Sequence, residues 1–173
     1  MARKSAVIQF SRIMKKLETV VSKEAVKASS LQPTGDFAAS IIVKRTRLGY
    51  GVDKQYGQKQ KFAPLAPSYI KQRKMFAGLN PLTTPKRSNL TRTSQMLDSV
   101  KAIARNGVIY IEPTGRRDDG KTNLDVAIWN HKGNARRNRP PRVFMNLSRL
   151  EFNQTVRFYR KTFTDLLRKL KVI

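Results

Sequence analysis

The chain has 173 residues, 39% of them apolar and 8% aromatic, which is enough for one modest core. Its 36 Lys and Arg against 11 Asp and Glu leave a net charge of +25, which calls for an anionic partner: nucleic acid, an acidic protein surface or anionic lipid. Cysteine is absent and His131 is the one histidine, so disulfides and thiolate metal sites are excluded, and a histidine zinc site or His-centred triad lacks its parts.

In chain order, Val7, Ile8, Phe10, Ile13, Met14, Leu17, Val20, Val21 and Val26 recur at three- and four-residue steps and predict a helix over 5–30. Pro33 and Gly35 are expected to stop it. Residues 36–62 read as an extended arm: Ala39 to Val43 suits a strand or a helical turn, and Arg45 to Gly57 is rich in glycine and tyrosine but poor in aliphatic residues. After Pro64 and Pro67, Ser68 is placed to cap a short basic helix through Tyr69, Ile70, Arg73 and Met75. Residues 78–89 are turn-rich. Met96, Leu97, Val100 and Ile103 predict a helix over Thr91 to Ala104, and Asn106-Gly107 is a strong turn signal. Val108 to Glu112 alternates as a strand does, Gly115 to Lys121 reads as a polar hairpin connection, and Leu124 to Trp129 as the partner strand. A basic loop follows from His131 to Arg142, and an amphipathic helix over 147–171 ends the chain.

These elements predict an α+β fold in a single domain over 1–173, with N- and C-terminal amphipathic helices packed on a small antiparallel β-sheet and a long arm at 36–62. Basic residues are interleaved with apolar ones in nearly every segment, which describes a folded body with a basic face rather than a disordered tail. No apolar run reaches the roughly 18 residues of a membrane span. The basic N-terminal residues lack the apolar stretch of a secretory signal, so a cytosolic or virion-borne protein is expected, with no membrane partner.

Two segments carry candidate contacts. In Lys132 to Arg142, the guanidiniums of Arg136, Arg137, Arg139 and Arg142 suit a phosphate backbone, or acids on a neighbouring subunit; a solvated loop is the plain alternative. In Lys44 to Gly51, Gly49 and Gly51 permit a chain that lies flat on another surface, with Arg45, Arg47, Tyr50 and Tyr56 as contacts of an oligomer arm; a mobile loop is the plain alternative. A lone His131 at a strand end reads as structural, and adjacent Asp118 and Asp119 read as turn residues. No phosphate-binding loop, nucleotide fingerprint or paired-carboxylate signature is present. A non-enzymatic chain with no cofactor and no metal is expected.

Four stretches resemble the neck and tail-completion proteins of tailed bacteriophages, the virion morphogenesis type. Phe62-Ala63-Pro64-Leu65-Ala66-Pro67-Ser68-Tyr69-Ile70-Lys71-Gln72-Arg73-Lys74 is similar to that family's W-x-P-L-S-P-S-T-I-x-x-R-K, and Asn89 to Val100 is similar to L-x-x-T-G-x-L-x-x-S-I. Val126 to Gly133 resembles Y-A-x-I-H-x-F-G, and Arg139 to Ser148 resembles I-P-A-R-P-F-L-G-L-S, after which the family also carries a C-terminal helix. Ser94 stands where the family usually has glycine, and the loop before Pro140 is more basic than usual. The resemblance implies a structural virion protein made in the host cytoplasm. Its copies would form a ring joining head connector or portal to tail proteins, with the DNA backbone in the channel as a further contact. The alternative is a basic RNA-binding protein of ribosomal type, whose small core and spread charge would look the same. A nuclease is least supported, for want of an acidic constellation.

Overall fold

The computed structural model describes residues 6–8, 27–53, 57–77, 84, 86–91, 94–117, 119–137 and 139–169. Its elements are β1 (Ala6–Ile8), α1 (Ala28–Arg47), β2 (Tyr50–Val52), β3 (Lys59–Lys61), α2 (Pro67–Ala77), α3 (Gln95–Asp98), β4 (Val100–Arg105), β5 (Val108–Pro113), α4 (Asn123–Lys132), a 3-10 turn (Ala135–Arg137) and α5 (Arg149–Lys169). The class is α+β, as expected. Helix α1 forms the middle layer, packed on the β4–β5 hairpin on one side and on α5 on the other.

The hairpin turns at Asn106-Gly107, whose φ angles are 51° and 72°, the positive values a two-residue primed turn requires. Its register runs from Arg105 opposite Val108 to Val100 opposite Pro113. Ala102, Ala104, Ile109 and Ile111 thereby point to one face and are buried. Strand β1 adds to the far edge of β5, antiparallel, with Ala6 opposite Ile111. The other edge, β4, is closed by a side chain: Gln32 on α1 donates from Nε2 to the Ala102 carbonyl at 2.9 Å and accepts from the Ala104 N–H at 3.0 Å. One glutamine thus stands in for a residue of the next strand and satisfies two backbone groups of that edge.

Pro33 and Gly35 do not end a helix; both lie inside α1. A Cβ built on Gly35 would come within 2.7 Å of the Ala102 Cβ and 2.8 Å of the Ile109 Cγ2. This glycine is a packing residue that lets the helix backbone approach the sheet. Leu31, Ala38 and Ile42 bury the rest of that face, and this burial offsets the donor lost at Pro33. Against α5, Phe37 stacks on Phe158 with ring centroids 4.4 Å apart.

The helix expected over 5–30 is corrected at its start, where residues 6–8 form a strand; residues 9–26 lie outside the described residues. The extended arm expected over 36–62 is also corrected. Residues 36–47 belong to α1, and what remains is the short β2–β3 hairpin, with Tyr50 opposite Lys61. The expected helix over Thr91 to Ala104 reduces to α3, followed by strand β4. The expected strand at Leu124 to Trp129 is helix α4. Helix α2 starts one residue before Ser68, on Pro67, which suits a first helical position. The last helix is α5 as expected, trimmed to Arg149–Lys169 among the described residues.

Candidate functional site

A groove of about 990 Å³ opens between the start of α2, the segment around Ser88 and Leu90, helix α4 and the loop that ends at Arg142. Among the described residues its walls carry Arg73, Arg117, Lys121, Arg139 and Arg142 against a single carboxylate, Asp119.

One wall is tied down by a buried polar network. Arg73, 1% exposed on α2, donates through Nη2 to the Thr84 carbonyl at 3.1 Å, Asn89 Oδ1 at 3.0 Å and Thr91 Oγ1 at 3.3 Å. Asn89 in turn donates through Nδ2 to Thr84 Oγ1 at 2.7 Å and to the Arg47 carbonyl at 3.0 Å. A buried guanidinium needs such acceptors, and here they bind α2 to the 84–91 segment and to the end of α1.

The opposite wall is α4. Thr122 caps it, its Oγ1 accepting from the Asp125 N–H at 3.0 Å, and the Thr122 hydroxyl also donates to the Asp125 carboxylate at 2.5 Å. Val126, Trp129, Asn130 and Gly133 then follow at helical spacing and all face the groove. Trp129 is 54% exposed, with Lys121 Nζ 5.8 Å from its ring centroid.

The basic loop is folded back on this helix. Gly133, at φ +69°, has no room for a Cβ, which would meet the Arg139 carbonyl oxygen and the Pro141 nitrogen at 2.6 Å each. Asn134 and Arg139 exchange backbone bonds of 2.8 and 2.9 Å, and the Arg142 N–H donates to the Asn130 carbonyl at 2.8 Å. Arg142 donates through Nε to Ser88 Oγ at 3.0 Å. Burial lowers the pKa of its guanidinium, Tyr69 opposes that, and the like charge of Arg139 adds to it; the group stays cationic at neutral pH.

Asp119 does not cancel this charge freely, because it sits 3.5 Å from both Arg117 Nε and Lys121 Nζ. Burial pushes its carboxyl up, but the Lys121 backbone N–H and the charges of Lys121 and Arg117 outweigh that and hold it below the usual carboxylate range.

Of the four arginines expected as contacts, Arg139 and Arg142 line the groove. Arg136 is exposed on the 3-10 turn outside it, and the Arg137 side chain lies outside what is described. Arg117, Lys121 and Trp129 were missed. The signal that finds them is Thr122-x-x-Asp125, a helix-start signature that turns 123–132 from a strand into a helix. His131, at the end of α4, is half-buried with its ring 6.3 Å from Phe144.

The expected arm contacts are dispersed. Arg45 is 3% exposed and pairs with Glu151; burial lowers its pKa and the Glu151 charge opposes this. Arg47 pairs with Asp98. Tyr50 lies on β2 under Lys59, whose Nζ is 4.3 Å from the ring centroid. Tyr56 lies outside the described residues. Gly51 does lie flat on a surface, but that surface is the chain itself: a Cβ there would meet the Val143 oxygen at 2.3 Å, and the Val52 N–H donates to that same carbonyl at 2.8 Å.

Among the described residues no group of three or more His, Cys, Asp or Glu is placed to hold a metal ion, and no helix is long and apolar enough to cross a membrane. The groove offers fixed cations and an exposed indole, a combination that binds anions carrying a flat face. Comparison with protein-family models, with curated proteins and with solved structures finds no match to the chain.

Proposed function

We propose that the chain is a non-enzymatic structural subunit of the neck of a tailed bacteriophage, whose copies form a ring joining the head connector to the tail around the DNA path. One observation carries this reading. The four stretches that resemble the neck and tail-completion family are separated in sequence, yet all four contribute walls to one groove: Pro64 and Tyr69 from the first, Leu90 and Met96 from the second, Trp129 and Gly133 from the third, Arg139 and Arg142 from the fourth. Of these, Pro64, Leu90, Gly133 and Arg142 are the positions that match the family's patterns letter for letter, and their meeting in one groove is what supports the reading.

A second detail supports it. Ser94, at the position where that family usually carries glycine, has φ +62°, the left-handed conformation for which glycine is the default residue. The charge of +25 suits a ring around DNA or one seated on acidic neighbours. On the β2–β3 hairpin, Lys59, Gln60 and Lys61 are all exposed, which makes it the candidate contact with the next copy.

Native mass spectrometry of the full chain, alone and with connector and tail proteins of a tailed phage, tests the proposal. A closed ring or its complex with either neighbour is the expected result. A chain that stays monomeric in every mixture, and that keeps a salt-resistant preference for structured ribosomal RNA, overturns it in favour of the ribosome-type alternative.

A further inference from the structure

The groove has a chemistry that a ring role does not use. A duplex keeps its bases stacked inside and presents a convex row of phosphates, so it has nothing to lay against an indole at the wall of a concave groove. A single strand does, because each of its bases has a free face and its backbone brings a negative charge alongside. Trp129 supplies the platform: it is 54% exposed at the end of the second turn of α4. The cation near its face belongs to Lys121, itself half-exposed at 5.8 Å.

Two guanidiniums of the same groove, Arg139 and Arg142, are open to an anion. Arg142 uses Nε on Ser88, and among the described residues no carboxylate pairs with either Arg142 or Arg139. The loop that carries them is held by the Asn134–Arg139 backbone pair and the Arg142–Asn130 bond, so little ordering cost remains for a ligand to meet. The one carboxylate among the described residues of the groove, Asp119, is already held by Arg117 and Lys121.

We propose that this groove binds a single-stranded polynucleotide, with a base stacked on Trp129 and the adjoining phosphates on Arg139 and Arg142. The volume of about 990 Å³ suits a short stretch of such a strand. The proposal stands on the groove alone and does not depend on the neck reading; ring formation is read by mass, strand binding by fluorescence, and each can fail without the other.

Trp129 is the only tryptophan, so its emission reports the site directly. The full chain is titrated with oligo-dT, oligo-rU, duplex DNA and polyglutamate at physiological ionic strength. Saturable quenching by both single strands is expected, with affinity about tenfold or more above that for duplex; a preference between dT and rU then names the source of the strand. Trp129→Ala, followed by anisotropy of labelled oligonucleotide, should lose about tenfold or more for the single strand while its weaker duplex binding stays unchanged, and a circular dichroism spectrum and unfolding midpoint equal to the parent's show that the variant folds. The double change Arg139→Gln with Arg142→Gln should weaken the single strand by at least about tenfold and flatten its salt dependence. Binding that leaves Trp129 emission unchanged overturns the proposal, since the contact then lies elsewhere on the basic surface. So does polyglutamate that binds and quenches as well as the oligonucleotides, which would make the groove a seat for an acidic peptide.

Discussion

Arg45 on α1 and Glu151 in the first turn of α5, 106 positions apart in sequence, form an ion pair with Nη1 2.5 Å from Oε2. The same guanidinium donates through Nη2 to the Phe144 and Asn146 carbonyls at 2.5 and 2.8 Å. Glu151 also accepts from the Ser148 N–H and hydroxyl at 2.8 Å each, so the pair joins α1 to the N-terminal cap of α5. With Arg45 buried, removing one partner strands the other charge. Arg45→Met should destabilise the chain by about 3–5 kcal/mol. In urea unfolding, a double-mutant cycle with Glu151→Gln should return a coupling above about 1 kcal/mol; additive single effects would mean the two side chains act independently.

Gly35 sets two effects against each other. Alanine is the better helix former by about 1 kcal/mol, but its Cβ would come within 2.8 Å of both Ala102 and Ile109, on strands that cannot easily retreat. Overpacking of this kind costs about 1–3 kcal/mol, so Gly35→Ala should lower the unfolding midpoint. Adding Ala102→Gly should restore part of the loss. A Gly35→Ala chain more stable than the parent would mean that α1 does not approach the sheet so closely.

Ser94 is buried, holds φ +62°, and its hydroxyl has no hydrogen-bond partner among the described residues. Ser94→Gly removes the left-handed strain, worth about 1–2 kcal/mol, at an entropic cost of about 0.5–1 kcal/mol. Its midpoint should equal or exceed that of the parent. Ser94→Val, which adds a β-branch in the same conformation, should fall clearly below it.

Tyr159 is buried, and desolvation pushes its phenol up to about 12 from 10.0. The folded state therefore favours the neutral phenol. That stabilising contribution is fully present below pH 10.0 and is lost as pH rises towards about 12, because the unfolded chain ionises first. Tyr159→Phe should show a shallower alkaline loss of stability than the parent over that window, read as the slope of the unfolding midpoint against pH.

Helix α5 was legible because it packs along one side only: Thr155, Tyr159 and Phe163 form its buried stripe at four-residue steps, and the opposite side is polar. Helix α1 was not, because it lies between the sheet and α5. Covered from both sides, it uses small residues such as Ser30, Thr34, Gly35 and Ala38, which blur the periodicity and make a packing glycine look like a stop. The Asn106-Gly107 turn was plain from residue type, since positive φ at both positions leaves few alternatives. Its strand partner was not, because Val100 to Ile103 fits both a helical and an alternating pattern, and pairing with β5 decides between them.

The groove divides in the same way. Sequence by itself determined that this chain is strongly basic and carries an arginine-rich loop before its last helix. It could not say which cations meet. Local periodicity and charge are properties of neighbours along the chain, and they report elements that bury one face or bind water with the other. Arg45 became a buried tie and not an arm contact because Glu151 lies 2.5 Å away in the fold. Arg139 and Arg142 came to share a groove with Trp129 because the loop folds back over Gly133. Those are long-range contacts, decided by which surfaces pack together, and only the tertiary structure holds them.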